Sequence, residues 1–254
     1  MINLKSNQEI KLLRQGGRIL SNILKKVSQS AKPGITTGEL NQMAEEMILN
    51  AGGVPSFKGY GDKSNPFPAT LCTSVNQEVV HGIPDDYILK NGDIVSLDIG
   101  MRYPKENGLY TDMSVTVPIG KIDNQTKKLI KVTKNALNIW IKNIRPGVNL
   151  IDIAKKVQDY IEAQDFAVVR DLVGHGVGHE VHEEPQIPNY YFPLLDVELK
   201  QGMVLALEPM VTMGDYRVET LDDGWTVKTK DNSLSAHFEH TVAVTGKGCL
   251  VITK

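Results

Sequence analysis

The chain has 254 residues, with 28 basic and 30 acidic side chains, a formal net charge of −2 and 41% hydrophobic residues. This length allows one large domain or two small ones with a buried core, and the near-neutral charge gives no electrostatic attraction to nucleic acid or to an anionic membrane. Two cysteines are too few for a disulfide framework, the polar amino-terminal sequence lacks a secretory apolar stretch, and no apolar run approaches the ~20 residues that span a bilayer. We therefore expect a cytoplasmic protein without nucleic-acid specificity or membrane insertion.

Two amphipathic helices are predicted at the start of the chain. Ser6 and Glu9 form a capping pattern before an apolar repeat of helical period. Thr36 and Glu39 repeat that pattern before a second such segment, which ends at the glycines of residues 52–53. The sequence between the two helices, Lys-Pro-Gly, is a helix breaker.

The middle of the chain alternates between loop, strand and helix patterns. Residues 52–68 are rich in Gly, Pro, Ser and aromatic side chains, which predicts a long irregular loop. Residues 69–75, 94–101 and 109–117 have strand patterns. A third helix is predicted for residues 124–144, where apolar side chains again follow the helical period.

Several short motifs occur twice in the same order, which indicates an ancient duplication. Residues 32–40 resemble 145–153, residues 80–84 resemble 181–185, residues 90–98 resemble 200–208, and residues 112–117 resemble 239–244. Residues 1–254 are therefore expected to form a single catalytic domain with two similar α-plus-β halves, about 1–120 and 121–254.

The duplication pairs acidic residues within apolar strand patterns: Asp98 corresponds to Glu208, and Asp112 corresponds to Glu239. Alternate side chains of a strand face opposite sides of the sheet, so Asp98 and Asp112 share a polar face, whereas Glu208 lies in a nearly continuous apolar run. A single carboxylate in such a place is most often a solvated surface charge. Four paired carboxylates repel one another, and because few basic residues lie in these strands, bound metal is the simplest source of compensating charge.

His175 adds an imidazole to this set, between two glycines that leave it little steric hindrance. Four carboxylates and one imidazole suit Co²⁺, Mn²⁺, Fe²⁺ or Zn²⁺ rather than a thiolate-type structural zinc site. Their combined negative charge is greater than the charge that one divalent cation can balance. We therefore expect two divalent metal ions, which would activate a shared water molecule for hydrolysis.

The remaining histidines have different expected roles. His81 and His182 occupy equivalent places in the two halves and are candidates for hydrogen bonding to a substrate or to a tetrahedral intermediate. The residue order in 179–182 differs from that of the helical His-Glu-x-x-His zinc motif. His237 and His240 flank the fourth carboxylate and are expected to support the ligands or the structure.

From about Ser6 to Val251 the chain resembles the type I methionine aminopeptidases. The resemblance rests on the combination of Val80-His81-Gly82-Ile83-Pro84, Leu97-Asp98, Thr111-Asp112, Gly174-His175-Gly176-Val177-Gly178, His182-Glu183-Glu184-Pro185, Glu208-Pro209-Met210 and Phe238-Glu239-His240-Thr241. It implies an α+β fold, the pita-bread (creatinase/aminopeptidase) fold, in which two pseudo-twofold-related halves surround a curved antiparallel sheet with helices on the outside.

The resemblance also implies roles for individual residues. The metal ligands would be Asp98, Asp112, His175, Glu208 and Glu239, with Asp112 and Glu239 bridging the two ions. The catalytic residues would be His81, His182 and Glu208, of which the two histidines contact substrate and stabilise the intermediate, and Glu208 shuttles a proton. The methionine side chain would enter an apolar pocket lined by Tyr60, Phe67, Cys72 and Trp225, with Phe57 and Val181 as further candidates.

Members of this family remove the initiator methionine from nascent proteins and peptides by attack of metal-activated water. The resemblance therefore implies a methionyl aminopeptidase that acts on the amino-termini of peptides and nascent chains, associates with the ribosome and is a monomer. Two departures from the family pattern stand out. The separation of Asp98 and Asp112, 14 positions, and the loop of residues 59–67 are both longer than usual in the family.

Two alternatives remain open at this stage. Prolidases and Xaa-Pro aminopeptidases share the ligand set, but they generally have Gly after the Glu-Pro of the fourth ligand motif, where this chain has Met210. A non-catalytic binding protein of the same fold is the other alternative. Such homologues have lost ligands, whereas all five are present here.

Overall fold

The computed structural model describes residues 2–254 and contains helices and antiparallel strands. The helices are α1 (Asn7–Ser30), α2 (Thr37–Asn50), α3 (Asn124–Asn143) and α4 (Leu150–Glu162). The strands are β1 (Val54–Pro55), β2 (Leu71–Val75), β3 (Glu78–Val80), β4 (Ile94–Tyr103), β5 (Leu109–Pro118), β6 (Ala167–Val168), β7 (Gly174–Gly176), β8 (Glu183–Ile187), β9 (Val204–Leu207), β10 (Met210–Thr212), β11 (Val218–Thr220), β12 (Val227–Thr229), β13 (Ser235–His237), β14 (His240–Thr245) and β15 (Gly248–Val251). Within residues 2–254, no helix is both long and apolar enough to cross a membrane.

Helices α1 and α2 begin where the capping patterns predict. The Ser6 side chain accepts a hydrogen bond from the Glu9 backbone N–H, and the Glu9 carboxylate accepts one from the Ser6 N–H. Thr36 and Glu39 make the same reciprocal pair at the start of α2. Each box satisfies backbone donors that the first helical turn leaves unpaired. Both predicted helices are confirmed.

Helix α3 matches the predicted third helix to within one residue at its end. Helix α4, for which the sequence alone gave no boundaries, starts after Asn149, whose side chain accepts from the Ile151 N–H. Asn149 corresponds to Thr36 in the internal repeat, so α4 is the counterpart of α2. The helices cover the strands through apolar faces, and Trp140 on α3 is fully buried there.

One sheet has the strand order β1-β4-β2, with β5 also paired to β4. The β4–β5 hairpin is ten residues long on each side and places Gly100 opposite Asp112 and Asp98 opposite Ser114. The three predicted strands are confirmed, and β4 and β5 extend slightly beyond their predicted ends. The predicted irregular loop contains one short strand, β1, because residues 54–55 pair with the end of β4.

The second large sheet has the order β15-β14-β9-β7-β8. It corrects one prediction, because Glu208 does not lie inside a strand: the apolar run breaks at Glu208-Pro209 into β9 and β10. Proline lacks the backbone N–H that a continuous ladder requires. Glu239 likewise lies in a gap, between β13 and β14. Only Asp98 and Asp112 project from within strands.

The two large sheets meet at β5 and β14. Glu239 N–H donates to the Ser114 carbonyl over 2.9 Å, and Ser114 N–H donates back to the Glu239 carbonyl over 3.4 Å. The Thr241 hydroxyl donates to the Asp112 carbonyl (2.8 Å) and accepts from the Asp112 N–H (2.9 Å). These bonds fix the backbone of two acidic residues, Asp112 and Glu239, against each other.

We predict that Leu20→Ala lowers the free energy of unfolding by about 2–5 kcal/mol, since it removes a side chain with 0% exposure from the apolar layer between α1 and the first sheet. Leu194, which is 82% exposed, is the matched control, and Leu194→Ala should change stability by less than about 0.5 kcal/mol. Urea unfolding at constant pH measures both. Equal losses in the two variants would contradict the assignment of Leu20 to the core.

Candidate metal centre

Four carboxyl groups converge where the two large sheets meet. Asp98 and Asp112 project from β4 and β5, on which their positions are diagonal neighbours. Glu208 and Glu239 lie at the breaks that precede β10 and β14. Asp98, Asp112 and Glu239 are 8%, 4% and 2% exposed, and the Glu208 side chain is 13% exposed.

His175 lies against this group. One ligand atom each from Asp112, His175 and Glu239 can be chosen so that all three lie within 4.8 Å of one another. Glu208 Oε1 is 3.4 Å from His175 Nε2. The other two predicted ligands, Asp98 and Glu208, do not belong to this group of three residues, but both line the same cavity.

The glycines on either side of His175 are required by the closeness of neighbouring backbone. A Cβ atom on Gly174 would lie 2.5 Å from the Ala206 carbonyl oxygen, and one on Gly176 would lie 2.3 Å from the Glu184 carbonyl oxygen. Strand β7 can therefore pack between its neighbours only with glycine at both places. This packing holds His175 between β8 and β9, with its side chain toward the acidic cluster.

The hydrogen bond of His175 determines which ring nitrogen is available. Nδ1 lies 2.8 Å from the Gly176 carbonyl oxygen, which only accepts, so Nδ1 carries the proton. Nε2 then presents its lone pair to Glu208 Oε1. Burial, followed by the charge of His182, lowers the pKa of His175 to about 3, which keeps the ring neutral. Two electron-rich atoms that face each other at this distance need a proton or a cation between them.

The acidic groups are electrostatically unfavourable when they stand alone. Burial raises the pKa of Asp98 to about 6 and that of Glu208 to about 8. The pKa values of Asp112 and Glu239 lie well above the usual range, first because the groups are buried and then because neighbouring carboxylates repel their charge. Among residues 2–254, Asp98 Oδ1, Asp112 Oδ1 and Glu239 Oε1 have no hydrogen-bond partner.

These observations fit a divalent metal site. Buried carboxylate oxygens without partners and a neutral imidazole lone pair are the donors that such cations prefer. A bound cation would remove both the repulsion and the unsatisfied acceptors. Cys72 is the only cysteine that lines the cavity. Burial, followed by the charges of Asp98, Asp112 and Glu239, raises the pKa of its thiol well above the usual range. The donor set therefore contains no thiolate.

The eleven residues assigned from the sequence as metal ligands, catalytic residues or pocket walls all line one cavity of about 80 Å³, together with the further candidate Phe57. Val181, the other further candidate, packs in the same apolar cluster but does not line the cavity. The lining consists of Phe57, Tyr60, Phe67, Cys72, His81, Asp98, Asp112, His175, His182, Glu208, Trp225 and Glu239. One end of the cavity is acidic and the other is apolar. At the apolar end, Phe67 and Trp225 pack edge to face with their ring centroids 5.3 Å apart.

His182 lies where the two ends meet. Its ring centroid is 4.3 Å from that of His175, and its Nδ1 is 2.6 Å from the Tyr60 hydroxyl. Burial lowers the pKa of His182, and burial, followed by the charges of His237 and His182, lowers that of His81 to about 4. Both rings are therefore neutral near pH 7 and are available as hydrogen-bond partners for an uncharged group.

Several supporting contacts had no clear signal in the sequence. Asn189 donates to the Glu208 carbonyl over 3.1 Å and accepts from Trp140 Nε1 over 2.7 Å, so it connects Glu208 to α3. His237, which was expected to support the ligands, lies with Nε2 3.6 Å from Glu208 Oε2. Asn189 and Glu208 are 19 positions apart, and only the tertiary structure brings them together.

The model of metallopeptidase family M24 matches residues 11–246. A methionine aminopeptidase of Clostridium perfringens (strain 13 / Type A) is 48% identical over 254 residues, which covers 100% of this chain and 99% of the relative. The crystal structure of a methionine aminopeptidase from Thermotoga maritima superposes with a TM-score of 0.94 at 43% identity and full coverage of both chains. A prolidase from Pyrococcus furiosus shares the fold, with a TM-score of 0.76 at 20% identity over 99% of this chain and 65% of its own.

Metal removal should make stability fall as the pH rises. Glu208, Asp112 and Glu239 have raised pKa values, so the folded protein retains protons that the unfolded chain has already released. The free energy of unfolding in EDTA should therefore decrease between about pH 7.5 and pH 8.5, by at most about 1.4 kcal/mol per pH unit for each retained proton. Above pH ~7.5 the histidines of the unfolded chain, whose ordinary pKa is about 6.5, are almost entirely neutral, so they oppose this trend very little.

Urea unfolding at several pH values measures the slope. The same titration with saturating Mn²⁺ is the control, and its slope should be smaller because the cation replaces the retained protons. Metal-free protein that becomes more stable from about pH 7.5 to pH 8.5 would contradict the electrostatic description of the cluster.

Proposed function

The chain belongs to metallopeptidase family M24 as a type I methionine aminopeptidase, a metal-dependent enzyme that removes initiator methionine, and we propose how its own residues perform this reaction. One observation carries the proposal: metal-type donors, two neutral histidines and an apolar wall line the same cavity. Such a cavity binds an apolar terminal side chain beside a hydrolytic centre.

We assign Asp98, Asp112, His175, Glu208 and Glu239 as ligands of two divalent ions. The carboxylates without partners and the lone pair of His175 Nε2 support this assignment. Four carboxylates carry more negative charge than one divalent ion balances, which favours two. Co²⁺, Mn²⁺, Fe²⁺ and Zn²⁺ all accept this donor set. When bound, the ions would supply Lewis-acid activation of water and of the scissile carbonyl group.

The apolar end of the cavity is proposed to bind the methionine side chain. Tyr60, Phe67, Cys72 and Trp225 would form its walls, and the buried thiol of Cys72 is an uncharged contact for a thioether. The Trp225 indole is held by its own hydrogen bond from Nε1 to the Asn65 carbonyl, at 3.0 Å. The pocket is therefore formed before substrate enters.

The neutral histidines are proposed to bind the reacting peptide group. With Nδ1 of His182 engaged by the Tyr60 hydroxyl, Nε2 remains to contact substrate. A neutral donor at this place stabilises negative charge that develops on the carbonyl oxygen. His81, whose ring centroid is 6.2 Å from that of Trp225, is proposed to position the substrate. Glu208, between His175 and His237, is proposed to carry a proton to the leaving amine.

The wider setting follows from the same proposal. Peptide and nascent-chain amino-termini are the substrates, and a cytoplasmic monomer that associates with the ribosome is the expected context. We also propose that residues 1–254 form one catalytic domain whose halves, about 1–120 and 121–254, each contribute two carboxylates. The hydrogen bonds between Ser114 and Glu239 support this arrangement, since they join the two halves directly at the ligands.

We predict that the protein, loaded with Mn²⁺ or Co²⁺, releases methionine from Met-Ala-Ser and leaves an Ala-Pro peptide intact. The apolar pocket should favour the methionine side chain over that of alanine. Chromatography of the free amino acids measures both reactions. Cleavage of Ala-Pro alone would favour the prolidase alternative, and cleavage of neither peptide would favour a binding protein.

We predict that His182→Ala lowers kcat by about 10²-fold without loss of metal, because the residue is assigned to substrate rather than to an ion. Tyr60→Phe, which removes only the hydroxyl that engages His182, should give a smaller fall. Asp112→Asn and Glu208→Gln, in contrast, should lose both metal and turnover.

Steady-state kinetics and metal analysis on the purified proteins distinguish these roles. Asp86→Asn, at an exposed acidic position outside the cavity, is the control and should keep both metal and activity. Loss of metal in His182→Ala, or near-normal activity in Asp112→Asn, would show that the assignment is wrong.

A further inference from the structure

A short segment before α1, residues 2–6, lies against the turn that leads into His182. We call residues 2–6 the amino-terminal strap and residues 177–182 the histidine turn. The strap is held at its carboxyl-terminal end: Lys5 N–H donates to the Gly202 carbonyl over 2.7 Å, and Ser6 caps α1. The histidine turn connects β7, which carries His175, to β8, which begins at Glu183.

Lys5 is buried against this turn. Its side chain is 1% exposed and forms an ion pair with Glu183, whose side chain is 3% exposed. Lys5 Nζ also donates to the Asn3 carbonyl over 3.3 Å. A Cβ atom on Gly178, in the histidine turn, would lie 2.5 Å from Lys5 Cε. The lysine stem therefore fills the space beneath the turn and leaves room only for glycine there.

Glu183 transmits this contact to the backbone of the turn. One carboxylate oxygen, Oε2, faces Lys5, while Oε1 accepts hydrogen bonds from the N–H groups of His179 (2.6 Å) and Glu180 (3.1 Å). Burial would raise the pKa of Glu183, but the hydrogen bonds from Lys5 and from the backbone outweigh it and the pKa is lowered. The carboxylate is thus held ionised in the interior.

A second contact ties the start of α1 to the same turn. His179 Nε2 is 2.6 Å from Glu9 Oε1, and the other oxygen of Glu9 accepts from the Ser6 N–H and hydroxyl in the capping box. These two contacts join the turn to the strap and to the start of α1. Because Lys5 is also bonded to Gly202, just before β9, and β9 pairs with β7, they hold the turn relative to the strand that carries His175.

A buried ion pair contributes little net stability in comparison with an apolar pair of the same volume. The interaction is directional, however, and it fixes the backbone that immediately precedes His182. We propose, on the basis of the function proposed above, that Lys5 and Glu183 are positioning residues that hold the His182 imidazole in register with His175 and with the bound peptide group. Neither residue lines the active-site cavity, so they act through His182 and not on substrate.

The test compares Lys5→Met and the double variant Lys5→Met/Glu183→Gln in the metal-loaded enzyme. Methionine retains most of the apolar stem, and the double variant leaves no unpaired buried charge, so it remains informative if the single variant folds poorly. We expect kcat for Met-Ala-Ser to fall about 10–100-fold, since displacement of a catalytic group by ~1 Å has effects of that size. KM and metal content should stay near those of the wild-type enzyme.

A double-mutant cycle separates positioning from general damage. In the His182→Ala background, Lys5→Met should cause no further loss of kcat, because the group that it positions is already gone. Lys155→Met is the matched control: it removes an exposed lysine that is paired with Asp159 on α4, with side chains 57% and 61% exposed, and it should leave kcat unchanged. Unchanged kcat in both folded Lys5 variants, or an equal further loss in the His182→Ala background, would overturn the proposal.

Imidazole ¹⁵N NMR gives a readout that does not depend on turnover. The His182 signals, assigned by their loss in His182→Ala, should shift in both Lys5 variants and stay in place in Lys155→Met. Unshifted signals in the Lys5 variants would overturn the positioning role even if the wild-type protein released no methionine. If the signals shift in the Lys5 variants but the wild-type protein does not cleave Met-Ala-Ser, the positioning role would stand and the proposed function would be refuted.

Discussion

Repulsion among four buried carboxyl groups is the constraint around which this protein is built. Isolated ionised carboxylates are costly to bury, and here Asp98, Asp112, Glu208 and Glu239 converge on one small cavity. Such a set stays together only if the backbone leaves it no freedom to separate. Because a bound cation would stabilise the folded form and would have no comparable site in the unfolded chain, metal bound here would also increase stability.

The backbone meets this requirement by placing the proposed ligands at points where two sheets are joined. Asp112 is held on its strand by β4 and across the sheet junction by Thr241, and Glu239 is held by Ser114. Sites that are fixed by strands hold their geometry better than sites built on free loops. The proposed methionine pocket includes loop residues, and these loops are held by hydrogen bonds as well: the backbone N–H of Trp225 donates to Asp223 Oδ1 over 2.7 Å.

Local signals in the sequence were sufficient for some of this structure. Both capping boxes predicted a helix start, and the alternation around Asp98 and Asp112 predicted a polar face on paired strands. The same reasoning failed at Glu208, where a continuous apolar run concealed the break that Pro209 imposes. Contacts such as that between Tyr60 and His182, 122 positions apart, depend on tertiary register. No local pattern in the sequence encodes that register. The Lys5–Glu183 pair could not be predicted from the sequence for the same reason.

The junction between β5 and β14 also dictates when the active site can form during folding. Asp112 and Thr241 are 129 positions apart, so no single hairpin or helix pair contains a complete set of ligands. Long-range pairings close large loops and form late, after local structure has already been established. The metal ions therefore cannot nucleate this fold from a local fragment. Metal bound at this site would stabilise only a chain in which both sheets have already paired, and it would therefore slow unfolding.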